Sequence, residues 1–254
     1  MRTSLSRFFI RFFFIGMLPF LLKACQIHLE PEELLMKSLS HHGGLTAMEA
    51  QQQLTFSKKT ISYDSLGREI SELRQQFFYD FETGKFGLQW QEDTDSWELS
   101  HSKDQYVLLK NGEISLLTGD QKKSYESLLN GGLYVYWQPY KLYKDISKKT
   151  YIGIENLLGS PVHVLEVTYD NSEDVWQYYF DVDSFRLLAN RVLHSGRYSL
   201  ITNDNTESVS GFSLPSQRTS YRVDAQNKVL WKQASYTYEL LNKTLLVFPQ
   251  RELN

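Results

Sequence analysis

The chain has 254 residues, a formal net charge of -3, 41% hydrophobic residues and a single cysteine. A slightly acidic chain lacks the basic surface of a nucleic-acid-binding protein, and one cysteine cannot form an internal disulfide. The 16 Tyr, 15 Phe and 5 Trp residues favour half-buried sheet surfaces, so the composition indicates a mainly β domain.

The N-terminus has the order of residue types of a bacterial export signal. Its first eleven residues include three arginines, residues 12–22 are apolar, and the small Ala24 precedes Cys25. This apolar stretch is shorter than the roughly 20 residues that a membrane-spanning helix needs. We therefore predict a signal peptide over residues 1–24 and a single β-rich domain over residues 25–254 with a short N-terminal tether.

The end of this segment, Leu22-Lys23-Ala24-Cys25, resembles the bacterial lipobox, in which a diacylated cysteine becomes the first residue of the mature protein. Lys23 departs from that pattern, and ordinary secretion is the alternative. Removing residues 1–24 takes the net charge to -7, because four basic and no acidic residues are lost. Lipid on Cys25, at about 0.8 kcal/mol per buried methylene, would then hold the domain on a membrane.

The residue after Cys25 indicates which membrane holds the predicted lipid anchor. Gln26 stands where proteobacterial lipoproteins that remain at the inner membrane carry an aspartate. We therefore predict a cell-envelope protein with an outer-membrane lipid anchor that faces the periplasm.

Two helices are predicted next. Pro31 suits a first helical turn, and the carboxylates of Glu32 and Glu33 interact favourably with a helix N-terminus. His41-His42-Gly43-Gly44 ends this helix with imidazoles in the last turn and a glycine stop. A second short helix is predicted over residues 45–50.

A β meander follows over residues 52–117, where apolar side chains recur at every second position. In its first strand Leu54, Phe56 and Lys58 alternate with polar neighbours. The turns between the apolar stretches, with Asn111-Gly112 as the strongest hairpin signal, predict five or six short antiparallel strands.

Residues 121–143 break this alternation. A helix is predicted over residues 124–129, Gly131-Gly132 is expected to interrupt it, and the aromatic run over residues 133–140 fits neither period. Sheets of about ten or more strands curl rather than stay flat. The prediction is a mainly β (α+β) fold, one large curled antiparallel sheet with capping helices. Its remaining strands are predicted over residues 151–158, 162–169, 175–181, 186–193, 198–202, 214–223 and 229–238.

Several of these segments together resemble a known group of proteins. They are residues 33–38 with the following His42-Gly43-Gly44, the sequence YWQPYKL over residues 136–142, and WQYYFD over residues 176–181 with Leu187. The chain resembles Bacteroidetes-type outer-membrane lipoproteins related to the LolA/LolB lipoprotein-carrier superfamily. The resemblance implies a helix-capped half-barrel whose hydrophobic cavity binds a lipid or a lipoprotein acyl chain, without cofactor and without chemistry.

Such a cavity needs a dry apolar lining with few polar groups at its mouth. Aromatic side chains of the concave face are the candidates, although aromatics at a period of two also form ordinary sheet cores. Three of the candidates, Tyr136, Trp137 and Tyr140, lie in the segment without regular period, as expected of a lid over a cavity. The candidate ligand-binding residues are Phe77, Tyr79, Trp90, Tyr136, Trp137 and Tyr140.

The motifs of enzymes and metal sites are not found. The six histidines form no His-Glu-x-x-His run, and no Gly-x-Ser-x-Gly elbow occurs. The acidic pairs Asp93/Asp95 and Asp181/Asp183 fall in predicted turns, where aspartate is common for backbone reasons. We predict a monomer with no metal, no cofactor and no enzymatic activity. The alternatives are a signalling or structural envelope protein that grips a protein partner, and a surface hydrolase acting on glycans.

Overall fold

The computed structural model describes residues 29–103, 105–209 and 211–241, so the predicted signal peptide and Cys25 lie outside the described residues. In the described ranges thirteen strands form one antiparallel sheet in the order β6-β5-β4-β3-β2-β1-β13-β12-β11-β10-β9-β8-β7. The strands are β1 (Gln53–Tyr63), β2 (Glu69–Asp80), β3 (Lys85–Glu92), β4 (Asp95–Ser102), β5 (Gln105–Lys110), β6 (Glu113–Ser115), β7 (Lys148–Leu157), β8 (Ser160–Thr168), β9 (Val175–Asp181), β10 (Leu187–His194), β11 (Arg197–Val209), β12 (Phe212–Val223) and β13 (Val229–Leu240).

The sheet consists of two meanders joined where β1 pairs with β13, in a register that runs from Phe56 opposite Leu240 to Ser62 opposite Ala234. Tight turns link successive strands. At one of them Asn111 (φ 52°) and Gly112 (φ 82°) both adopt the left-handed conformation that a two-residue hairpin turn of type I′ requires. The sheet stays open, with β6 and β7 as its edges. The predicted fold class is confirmed.

Among the described residues, four helices accompany the sheet: α1 (Pro31–His41), α2 (Leu45–Glu49), α3 (Gly119–Tyr136) and α4 (Tyr140–Lys144). The first two were predicted at these positions and are confirmed. Leu34, Leu35 and Leu39 form the buried face of α1, and Met48 is the buried residue of α2.

The predicted interruption at Gly131-Gly132 is wrong, because α3 runs through both glycines for 18 residues. Its start is stabilised by Thr118, whose side chain accepts a hydrogen bond from the Gln121 N–H while the Gln121 side chain accepts one from the Thr118 N–H. Two internal glycines cost about 1 kcal/mol each. The burial of Leu129, Leu133 and Tyr136 offsets that cost.

The helices pack against one face of the sheet, here called the inner face. Leu129 and Leu133 of α3 lie in one buried cluster with Phe56 and Phe77 of the strands. A second cluster joins α1 and α4 to β8, β9 and β10. Leu165 belongs to that cluster, whereas its neighbour Val164 lies in a third cluster on the opposite face, as strand geometry requires. Within the described residues, no helix combines the length and hydropathy needed to cross a bilayer.

Candidate ligand-binding face

All six aromatic residues predicted to bind a ligand lie in the single cluster between α3 and the first meander. Four of them, Phe77, Tyr79, Tyr136 and Trp137, are buried. The other two are half-buried and pack against the cluster from its border: Trp90 and Tyr140. Their assignment as ligand contacts stays a prediction, since every one of them also packs against other side chains.

The centre of this cluster is a stack of rings beneath the end of α3. The ring of Phe56 lies 5.0 Å from that of Phe77 and 4.0 Å from that of Tyr136. The Tyr79 hydroxyl donates a 2.6 Å hydrogen bond to the carbonyl oxygen of Leu129, so this strand is tied to the helix by a polar contact as well. At Gly132 the backbone of α3 comes close to the ring of Phe77. A side chain there would prevent this contact, because an added Cβ would be 2.5 Å from Phe77 Cε1.

The remaining candidates mark the borders of the cluster. Trp90 stacks on Trp97 with the ring centroids 5.8 Å apart, under Tyr125 of α3. Trp137 directly follows α3 and packs against Phe212. Tyr140 is the first residue of α4. The segment expected to be an irregular lid is therefore the end of one helix and the start of the next.

A partly open pocket of about 180 Å³ lies between α3 and strands β3 to β5. Phe86, His101 and Tyr106 line its sheet side, and Lys122 and Glu126 line its helix side. The rings of His101 and Tyr106 are 4.4 Å apart. Nδ1 of His101 is buried without a hydrogen-bond partner in the described part of the chain. The cover of the inner face is thus incomplete along this border.

The inner face also carries charge that the sequence analysis did not select as a site. Arg218 on β12 is only 3% exposed, and its Nη2 donates a 2.7 Å hydrogen bond to Asn190 Oδ1. Lys58 on β1 lies over the ring of Tyr236, with Nζ 5.1 Å from the ring centroid. Burial, together with the charge of Arg218, lowers the pKa of Lys58 to about 8.

A chain of tyrosine hydroxyls extends across the second cluster. The Tyr178 hydroxyl donates to that of Tyr134 at 3.5 Å, and Tyr134 is 3.1 Å from the hydroxyl of Tyr169. Tyr169 in turn donates to Asp145 at 2.5 Å. Burial raises the pKa of all three hydroxyls, that of Tyr178 to about 12, so each of them is neutral at physiological pH.

His42 was interpreted from the sequence only as an imidazole at a helix end, but it also connects three elements. It is 2% exposed, and its Nδ1 lies 2.7 Å from the Ser213 carbonyl oxygen. The Leu187 N–H donates to Nε2 at 3.3 Å. Because a carbonyl oxygen can only accept a hydrogen bond, Nδ1 carries a proton. Nε2 accepts a hydrogen bond and therefore carries none, so the ring is neutral. No sequence signal distinguished it from the exposed His41 beside it.

One carboxylate of each acidic pair considered for a hydrolase makes local contacts. Asp95 forms a 2.7 Å ion pair with Lys110. Asp181 accepts hydrogen bonds from the N–H and the hydroxyl of Ser184, and these bonds lower the pKa of its carboxyl. In the described ranges, no three His, Cys, Asp or Glu side chains are grouped so that they could hold a metal ion.

The sequence matches no protein-family model and no curated protein. Solved structures with a similar fold include a LolA superfamily protein from Nitrosomonas europaea, with 11% identity and a TM-score of 0.49 over 82% of this chain and 91% of that chain. They also include a domain from Vibrio parahaemolyticus that carries the name outer membrane lipoprotein-sorting protein. It has 12% identity and a TM-score of 0.46 over 84% of this chain and 94% of that chain.

A third similar structure is a DUF1329 family protein from Desulfovibrio piger, with 11% identity and a TM-score of 0.45 over 84% of this chain and 91% of that chain. All three TM-scores are below 0.5, so the likeness concerns the overall arrangement of the chain and says nothing about ligand or activity. A LolA superfamily protein is thus among the structures that this fold resembles, as the sequence predicted. The resemblance to lipoproteins of the Bacteroidetes type stays a prediction.

Proposed function

We propose that this chain is an envelope lipoprotein whose β domain binds a lipid or acyl chain non-covalently between the inner face and its helices. The observation that carries the proposal is the inner face itself, whose two apolar and aromatic clusters are covered, in the described part of the chain, by the long helix α3 and the shorter α1, α2 and α4. Apolar surface of this extent matches a hydrocarbon chain in chemistry. The domain acts as a monomer anchored through Cys25, in the outer membrane and facing the periplasm, and it performs no catalysis.

Binding requires the helices to move. Ligand pockets are commonly about 300 to 1,000 Å³ in volume, whereas the pocket beside α3 measures about 180 Å³. An acyl chain would enter along this border and displace α3 from strands β3 to β5. Half-buried Leu128, Trp90 and Tyr125 lie where the helix would part from the sheet.

Photo-labelling in cells tests this binding. Cells that make the full-length chain are fed a fatty acid carrying a diazirine and an alkyne, then irradiated, and the denatured protein is mapped by mass spectrometry. We expect light-dependent adducts in peptides that contain Trp90, Leu128 or Tyr140. Leu128→Glu places a carboxylate in the apolar border, and we expect it to lower this labelling by about tenfold or more, because burial of an unpaired charge costs several kcal/mol.

The matched control is Leu116→Glu, the same substitution at a side chain that is 91% exposed, which should leave the labelling unchanged. Unfolding temperatures of both variants establish that they fold. Adducts that are confined to outward-facing residues, or equal effects of the two substitutions, would contradict a binding site on the inner face.

The same fatty acid, used without light, tests the anchor. Metabolic incorporation should label the native chain covalently and leave Cys25→Ala unlabelled, because the thiol is the only one in the chain. Light-dependent adducts on the inner face should persist in Cys25→Ala, since they arise from a bound chain and not an attached one. Covalent label that survives in Cys25→Ala, or that never appears on the native chain, would refute lipidation at this residue.

A further inference from the structure

Two cationic side chains lie close together on the inner face, beside the aromatic cluster. Lys58 of β1 is opposite Tyr238 of β13, and Arg218 of β12 is opposite Tyr236 of the same strand. Since Tyr236 and Tyr238 are two residues apart, their side chains share a face, and so do the residues opposite them. The side chain of Lys58 leans over the Tyr236 ring, toward Arg218.

Neither cation has an anionic partner in the described part of the chain. Lys59 and Lys110, which also lie on strands, do form ion pairs, Lys59 with Glu72 at 2.8 Å and Lys110 with Asp95. Lys58 and Arg218 form no ion pair with any residue in the described ranges. Asp145, the carboxylate of the tyrosine chain, accepts from Tyr169.

This arrangement is costly for a protein without a ligand. Buried charges are normally paired, because an unpaired one loses much of its solvation. Arg218 is buried and the side chain of Lys58 is half-buried. Nε of Arg218 is buried and has no hydrogen-bond partner among the described residues, so one strong donor of the guanidinium is unused. The lowered pKa of Lys58 has the same origin, since burial and the neighbouring Arg218 both disfavour its charge.

The surroundings suit an amphiphile. Phe56, two residues before Lys58, belongs to the ring stack, and the Tyr238 ring lies 5.4 Å from that of Tyr136. A hydrocarbon chain lying along that cluster would bring its polar end to the two cations. Guanidinium and ammonium groups donate their strongest hydrogen bonds to carboxylate and phosphate oxygens.

We propose that Lys58 and Arg218 bind the anionic group of an amphiphilic ligand, a carboxylate or phosphate joined to an acyl chain. This inference rests on the proposed function and narrows its ligand class. Neutral lipids such as long-chain alcohols or diacylglycerols would bind less well, because they leave both cations unpaired.

Three photoactivatable probes with the same sixteen-carbon, diazirine-bearing chain test the proposal; they end in a carboxylate, a phosphate or a hydroxyl. Purified full-length protein in a neutral detergent is labelled with each, and the measured quantity is the ratio of anionic to hydroxyl labelling on the inner face. Detergent competes equally with all three probes for the inner face, because their hydrocarbon chains are the same, so its effect cancels in this ratio. A hydrogen bond to a charged group is worth about 1.5 to 3 kcal/mol, so we expect a ratio of about ten or more.

Lys58→Gln and Arg218→Gln should each bring this ratio close to one, while the control Lys59→Gln should leave it unchanged. Comparison of the carboxylate and phosphate probes identifies the preferred group. A ratio near one in the unaltered protein, with the inner face labelled, overturns the anion site and leaves acyl-chain binding intact. If no probe labels the inner face, both proposals fall.

Thermal unfolding of the ligand-free protein separates a ligand site from a structural role. Removing an uncompensated charge should keep or raise the unfolding temperature in Lys58→Gln and Arg218→Gln. A structural role predicts the reverse, a lower unfolding temperature with an unchanged labelling ratio, and that result would overturn the proposal. Lys58→Gln keeps the test decisive even if Arg218→Gln does not fold.

Discussion

Replacing Gly132 by alanine is expected to lower the free energy of unfolding by about 1 to 3 kcal/mol, the usual cost of overpacking a core. The new Cβ would be 2.5 Å from Cε1 and 3.0 Å from Cζ of Phe77, whose side chain is fully buried. Either the ring or the helix must shift. Urea-induced unfolding, followed by far-ultraviolet circular dichroism, measures the change.

Gly131 provides the matched control in the same helix. An alanine there meets nothing within 4 Å, so the substitution should instead raise the free energy of unfolding by about 0.5 to 1 kcal/mol through helix propensity. Two alanines at adjacent positions thus have opposite expected signs. Equal effects at Gly131 and Gly132 would refute the close packing of α3 on Phe77.

The second large effect concerns pH. Burial lowers the pKa of His42 from an ordinary value of 6.5 to about 4. As the pH falls below about 6.5, the unfolded chain binds a proton at this residue and the folded chain does not. His42 therefore makes stability decline from about pH 6.5 to about pH 4, by about 3 kcal/mol in total, with no contribution to the slope above or below that window.

His42→Gln removes the titrating group, so its unfolding free energy should vary less over this window than that of the unaltered protein. At pH 7 the variant should be less stable by about 1 to 3 kcal/mol, because hydrogen bonds to Ser213 and Leu187 are lost or weakened. His41→Gln, at the exposed neighbour, should retain both the stability and the slope. An unchanged slope in His42→Gln would show that other groups cause the acid sensitivity.

Local signals in the sequence predicted most of the elements. Pro31 and the glycines after His42 bound α1 as expected, and alternation predicted the strands of both meanders. The error at α3 has a specific cause: propensity treats two adjacent glycines as a break. The packing of α3 on the sheet makes Gly132 a requirement instead, because no larger residue fits against Phe77.

The candidate site was predicted only in part. The six aromatic candidates do come together on one face, since alternation and the apolar run identified them. Lys58 was visible as a lysine alternating with Leu54 and Phe56, the one signal that pointed to charge on an apolar face. Arg218 gave no such signal, because its partner Asn190 is 28 residues away in the chain.

By itself, the sequence determined the strand period, the turns and the first two helices, all of which depend on residues within a few positions of one another. The export signal stays a prediction, because it lies outside the described residues. Only the tertiary structure decided that β1 pairs with β13 and that α3 continues through its glycines. It also decided that Lys58 and Arg218 lie together with no ion pair to any described residue. These features depend on burial and on contacts between residues far apart in the chain. Local pattern carries no information about the solvation of a charge or the space beside a glycine.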